Sequence, residues 1–186
     1  MAIILHKNLP DAQLHECKGA AGATSGKVPI ATGAGAATFR YLNPRGAIHF
    51  VNIASPYILT YPATYTKIAP TTIASGTAIE CTEASNGRLT YTGAGNVQAR
   101  ILVNLSIDQS VGANRDLELV IYKNGTIVAG SNIVTTAPSG LKQLITSTID
   151  TTLTTNDYVE AFIKNNGASG DVNVYTYFLS MSSTRG

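Results

Sequence analysis

Apolar and polar residues alternate along most of the chain beyond residue 45. The clearest stretch is Gln98–Lys123, QARILVNLSIDQSVGANRDLELVIYK. Ala99, Ile101, Val103, Leu105 and Ile107 fall on one side of it; Arg100, Asn104, Ser106 and Asp108 fall on the other, with Leu102 the apolar exception. Side chains alternate across a β-strand, so a period of two marks one buried and one wet face. Further on, Leu117, Leu119 and Ile121 alternate with Asp116, Glu118, Val120 and Tyr122. The stretch therefore predicts two strands of one sheet joined by a polar loop. Asn124-Gly125 supplies the positive φ angles of a tight hairpin turn, which makes Thr126–Thr135 a returning partner strand.

The same reading extends in both directions. Ala47–Ala54 predicts a strand that Ser55-Pro56 ends, and Pro62 and Pro70 confine Tyr57–Ile73 to an edge or to irregular coil. Ala78–Thr82 and Arg88–Thr92 flank the turn Asn86-Gly87. Leu141–Ile149 and Tyr158–Lys164 form the next expected pair, and Val172–Ser182 a long last strand. In that strand Val174, Thr176, Phe178 and Ser180 alternate with Tyr175, Tyr177, Leu179 and Met181, so both sides carry apolar bulk. Such a strand is either central in a sandwich or buried against a second subunit. On the second reading Tyr175, Tyr177, Leu179 and Met181 are the candidate oligomer contacts. About eight to ten short strands with regular turn signals and no helical stripe fit an all-β class, a sandwich or jelly roll spanning residues 45–186.

Residues 1–44 differ in kind. Gly19–Phe39 is almost entirely Gly, Ala, Thr and Ser, with too little apolar area to build a core alone. Apolar residues are nevertheless spaced along the segment, which a plain linker would not need. It reads as an extended docking arm, with Ile3, Leu5, Leu9, Leu14, Phe39 and Tyr41 as anchors and Asn43-Pro44-Arg45-Gly46 as the boundary turn.

Composition narrows the function classes. Charged residues are 13% of the chain and the net charge is +2, without the concentrated basic patch that a nucleic-acid groove requires. No apolar run is long enough for a membrane-spanning helix, and MAIILHKNLP lacks the features of a secretory signal. Cys17 and Cys81 fall in different segments and do not predict a disulfide. Gly33-Ala34-Gly35-Ala36-Ala37 lacks the third glycine and the strand–helix setting of a phosphate loop. His6, His15 and Cys17 match no zinc spacing, and His49 stands alone in a strand as a core or interface histidine. No GxSxG elbow occurs, and Asp116 and Glu118, which share a strand face, read as solvated acids. Neither an enzyme nor a bound metal or cofactor is expected.

Three tracts carry a family resemblance. Gly87–Gly93 (GRLTYTG), Leu119–Thr126 (LVIYKNGT) and Leu153–Phe162 (LTTNDYVEAF) together resemble the small jelly-roll domains of tailed-bacteriophage structural proteins, of the tumour-necrosis-factor class. Asp11–Phe39 resembles a leader found in phage head-decoration, head-fibre and tail-fibre proteins; it commonly reads LHEPKG, and here Cys17 stands in the proline position of Leu14-His15-Glu16-Cys17-Lys18-Gly19. The resemblance implies a virion structural role and a homotrimer, with a dimer the other option. The short arm and the absence of heptads favour a head decoration or cement protein over a long fibre. Its expected partner is the major capsid protein and its expected place the outer surface of the capsid. The alternative is a tail-fibre or receptor-binding tip that recognises host glycan, with Tyr57, Tyr61 and Tyr65 available to stack on sugar rings.

Overall fold

Alternation becomes strand after strand in the computed structural model, which describes residues 27–33, 36–41, 43–71, 74–76, 78–84, 86–110, 113–167 and 169–184. None of these residues is helical. The chain divides into two units, Met1–Leu42 and Asn43–Gly186. In the first, β1 (Lys27–Gly33) and β2 (Ala36–Tyr41) pair antiparallel, Lys27 opposite Tyr41 and Pro29 opposite Phe39, with a register shift between Ala31 and Gly33. This part of the glycine- and alanine-rich segment thus folds back on itself instead of running straight as an arm. Its two halves are each long enough for a strand and are separated by Gly33-Ala34-Gly35.

The second unit holds β3 (Arg45–Val51), β4 (Tyr57–Leu59), β5 (Thr66–Lys67), β6 (Ala74–Ser75), β7 (Cys81–Ala84), β8 (Arg88–Tyr91), β9 (Val97–Gln109), β10 (Arg115–Lys123), β11 (Thr126–Ile127), β12 (Ile133–Ala137), β13 (Gln143–Leu153), β14 (Tyr158–Asn165) and β15 (Val172–Ser183). They form two antiparallel sheets. One runs β13-β9-β15-β3-β6 with β4 beside β15; the other runs β11-β10-β14-β8-β7 with β12 on β10 and β5 on β14. The core lies between them. Ile101, Val103, Leu105 and Ile107 of β9 face Leu117, Leu119 and Ile121 of β10 and Val159, Ala161 and Ile163 of β14, all fully buried.

Three expectations need correction. Strands β9 and β10 are not neighbours in one sheet: β9 lies between β13 and β15, and β10 beside β14 in the other sheet. β13 and β14 likewise belong to different sheets. Alternation reports how many faces of a strand are buried; it does not report which neighbour the strand bonds to. The third correction concerns the last strand. β15 is central, with β9 on one side and β3 and β4 on the other, and its register shifts between Val174 and Thr176. That bulge changes the phase, so Val172, Val174, Tyr177, Leu179 and Met181 all point into the core of their own chain. Tyr177, Leu179 and Met181 are therefore not outward oligomer contacts; of the four named, Tyr175 alone lies on the outer side.

Local turns follow the expected chemistry. Asn124 (φ 51°) and Gly125 (φ 79°) make the left-handed turn between β10 and β11. Gly87 (φ 77°) closes the β7–β8 hairpin where a Cβ would run into the Ile68 carbonyl oxygen. The return after Asn124-Gly125 is split: β11 and β12 both pair with β10, and Ser131 between them donates from Oγ to the Ile121 carbonyl at 3.3 Å and accepts from the Ile121 N–H at 3.0 Å.

Candidate interaction faces

The two sheets turn different outer surfaces to solvent. Strand registers fix how the outer side of β13-β9-β15-β3 is laid out. Reading across the sheet, one row is Val51, Thr176, Ser106 and Leu144; the next is His49, Phe178, Asn104 and Thr146; then Ala47, Ser180, Leu102 and Thr148; and last Arg45, Ser182, Arg100 and Asp150. Beyond the first row, Ile58 of β4, Asn173 and Asp108 stand in line. Among the described residues the face thus has charge at its two ends and none across its middle, where Phe178 and Leu102 lie among small polar side chains and the one ionisable group is His49.

At the last row Arg100 makes a bidentate ion pair with Asp150, at 2.9 and 3.1 Å, which holds the carboxyl below its ordinary range. At the other end Asp108 is only 5% exposed although it lies on the outer side. Its carboxylate accepts from Asn173 Nδ2 at 2.7 Å and from the Tyr175 hydroxyl at 2.8 Å, while Lys142 Nζ sits 4.0 Å from the Tyr175 ring centroid. Burial and the bond to Asp108 push the Tyr175 phenol upward. This end also carries apolar side chains left in water: Leu144 is 72% exposed, Val51 64% and Ile58 54%. A half-apolar face without central charge, rimmed by charged pairs, has the layout of a protein–protein contact.

The outer side of the second sheet is instead covered by its own chain. Tyr122 and Phe162 stack with centroids 4.0 Å apart, and Tyr65 meets Tyr122 edge-on at 6.2 Å. Val120, on the same side, is fully buried without belonging to the central core. Glu160 accepts from Lys67 Nζ at 2.5 Å and Arg88 Nε at 2.8 Å, and the Arg88 guanidinium stacks 3.8 Å from the Tyr158 ring centroid. Burial, then the hydrogen bond to Glu118, push the Tyr65 phenol up to about 12. Glu118 also accepts from Asn132 at 3.2 Å and Asn166 at 3.4 Å, and Asp116 accepts from Thr136 at 2.7 Å. These two acids serve as hydrogen-bond acceptors for neighbouring loops and strands.

Other named residues scatter. Ile3, Leu5, Leu9 and Leu14 lie outside the described residues, as do His6, His15 and Cys17. Phe39 and Tyr41 lie on β2, where Lys27 Nζ is 5.4 Å from the Tyr41 ring centroid. The structure does not gather Tyr57, Tyr61 and Tyr65 into one platform. The Tyr61 hydroxyl donates to the Gly167 carbonyl at 2.6 Å, Tyr65 packs on Tyr122, and Tyr57 lines a shallow cleft of about 390 Å³ with Phe50, Pro56, Ile58 and Pro70. Cys81 is buried and free, its thiol pushed up to about 12 by burial and then by Glu83 and Glu80. Nothing in the local sequence marks Val51, Leu144 and Phe178 as residues of the outer face. The nearest signal is the apolar residue that breaks an alternation, as Leu102 does.

No protein-family model matches the chain. No curated protein matches it either. Solved structures do. An Eiger TNF from S. frugiperda aligns with a TM-score of 0.52 at 11% identity, over 75% of this chain and 92% of that one. The PRD1 vertex protein P5 aligns with a TM-score of 0.50 at 11% identity, over 77% of this chain and 97% of that one. Likeness at such low identity speaks to architecture: residues 43–186 have the jelly-roll fold of the tumour-necrosis-factor class.

Proposed function

We propose that the protein is a virion structural protein, a head decoration or cement protein. In this reading its first forty-odd residues hold the major capsid protein, and its jelly roll sits on the outer surface of the capsid as a homotrimer. The observation that supports the reading is the division of the chain into Met1–Leu42 and Asn43–Gly186, the second of which holds an apolar core between its two sheets. The N-terminal leader that resembles those of head-decoration proteins supports it. So does the sharing of the jelly-roll architecture with a protein described as a vertex protein. The outer face of β13-β9-β15-β3 serves as the contact between copies. Joining several copies multiplies weak single-arm contacts into firm retention, and strand addition gives an arm main-chain hydrogen bonds to its target. No step of this role is catalytic.

The test is a truncation. Protein lacking residues 1–40 should stay folded and soluble but fail to coat undecorated capsids in a pelleting assay. Coating at full-length occupancy by the truncated protein would refute the docking role.

A further inference from the structure

We infer that self-association of this protein is switched by pH through His49; the inference rests on the reading of the β13-β9-β15-β3 face as the contact between copies. His49 projects from β3 into the second row of that face, opposite Phe178 of β15 on one side and Ala74 of β6 on the other. The row continues through Asn104 of β9 to Thr146 of β13, whose hydroxyl donates to Asn104 Oδ1 at 2.7 Å. The adjoining rows present Val51, Thr176, Ser106 and Leu144 on one side and Ala47, Ser180, Leu102 and Thr148 on the other. None of these groups is charged or titratable. Among the described residues the other ionisable groups of the face lie at its ends, Arg45 with the Arg100–Asp150 pair and the cluster of Asp108, Tyr175 and Lys142, while Glu83 of β7 reaches the β3 backbone, its Oε1 accepting from the Ala47 N–H at 2.8 Å.

Among the described residues no carboxylate is paired with the His49 imidazole; Glu83, the carboxylate bonded to β3, is engaged by the Ala47 N–H. In the lone protomer His49 is exposed and water solvates the charge. Between copies the same charge loses its water against phenylalanine, leucine and neutral amide or hydroxyl groups, and is repelled by its symmetry mates. Histidine is the side chain that changes charge between about pH 5 and 8. Desolvation without a counter-charge favours its neutral form. Assembly therefore keeps the imidazoles neutral, and acid releases the copies. By linkage the association constant falls about tenfold per pH unit for each imidazole that must stay neutral, so the slope of its logarithm against pH counts the copies joined.

The test is sedimentation equilibrium of the full-length chain between pH 7.5 and 5.0 in parallel with His49→Gln and His49→Lys, with circular dichroism confirming the fold. Wild type should be oligomeric at pH 7.5 and dissociate on acidification. H49Q should stay assembled throughout, and H49K, with its fixed charge, should be a protomer even at pH 7.5. H49Q and wild type dissociating in parallel would overturn the inference, as would assembly of H49K at pH 7.5. A wild-type oligomer that persists at pH 5.0 would overturn the switch but leave the interface standing. A wild-type protomer at pH 7.5 would overturn both.

Discussion

Asp157 ties together two of the tracts that carry the resemblance, and its replacement by asparagine tests how they are held. Its Oδ2 accepts from the Thr154 N–H at 2.8 Å and from Lys123 Nζ at 3.0 Å; its Oδ1 accepts from Asn124 Nδ2 at 2.6 Å. Asn124 in turn accepts from the Tyr158 N–H at 2.9 Å, and the Asp157 carbonyl accepts from the Tyr91 N–H at 2.8 Å. Burial alone would raise this carboxyl, but the hydrogen bonds from Thr154, Asn124 and Lys123 outweigh it and hold the group at about 2 against an ordinary 3.8. That difference corresponds to about 2 kcal/mol of stability. A carboxyl depressed in the folded state contributes fully above its unfolded value, and the contribution fades as pH falls through the folded value. Asp157→Asn should therefore lower unfolding free energy by about 2 kcal/mol at pH 7. The deficit should shrink from about pH 4 downward and nearly vanish by about pH 2. Urea titrations of both proteins at one protomer concentration, repeated from pH 7 to 2, measure it. A deficit that does not change with pH would refute the assignment of the stabilisation to the ionised carboxylate.

The other predictions are briefer. Gly87→Ala places a Cβ against the Ile68 carbonyl at a φ of 77°, and should cost about 3 kcal/mol or more in the same titrations; near-neutrality would mean that the β7–β8 turn is looser than described. Glu160→Gln leaves Lys67 and Arg88 without their shared carboxylate and should cost about 2 kcal/mol, discounted for the partial exposure of both cations; an unchanged denaturation midpoint would contradict it. Leu144→Glu, at a position 72% exposed in the protomer, should leave the thermal midpoint of the isolated fold within a few degrees but shift the sedimenting species toward the protomer. An intact oligomer would remove Leu144 from the contact.

What the chain disclosed in advance follows from what alternation measures. The inward residues of β9 and β10 were readable because each strand buries one side and wets the other. The Asn124-Gly125 turn was readable because only a few residue types accept its φ angles. Assignment of strands to sheets was not: β9 and β10 look like a hairpin in sequence, yet β9 bonds to the distant β13 and β15, and β10 to β11, β12 and β14. One bulge hides the phase of β15, so the sequence does not reveal that Tyr177, Leu179 and Met181 fill the core. The row containing His49, Phe178, Asn104 and Thr146 draws on four strands spread from residue 49 to residue 178, and no local pattern assembles it. Within the tracts LVIYKNGT and LTTNDYVEAF, Lys123, Asn124, Asp157 and Tyr158 lock two loops together, a contact between distant segments that no local pattern announces.

The most direct measurement is a cryo-microscopy map of particles carrying this protein. The expected map shows trimeric knobs on the outside of the shell, joined through the β13-β9-β15-β3 faces, with density for the first forty-odd residues running onto the major capsid protein. Knobs seated at the tail, or attached to the shell through the jelly roll alone, would contradict it.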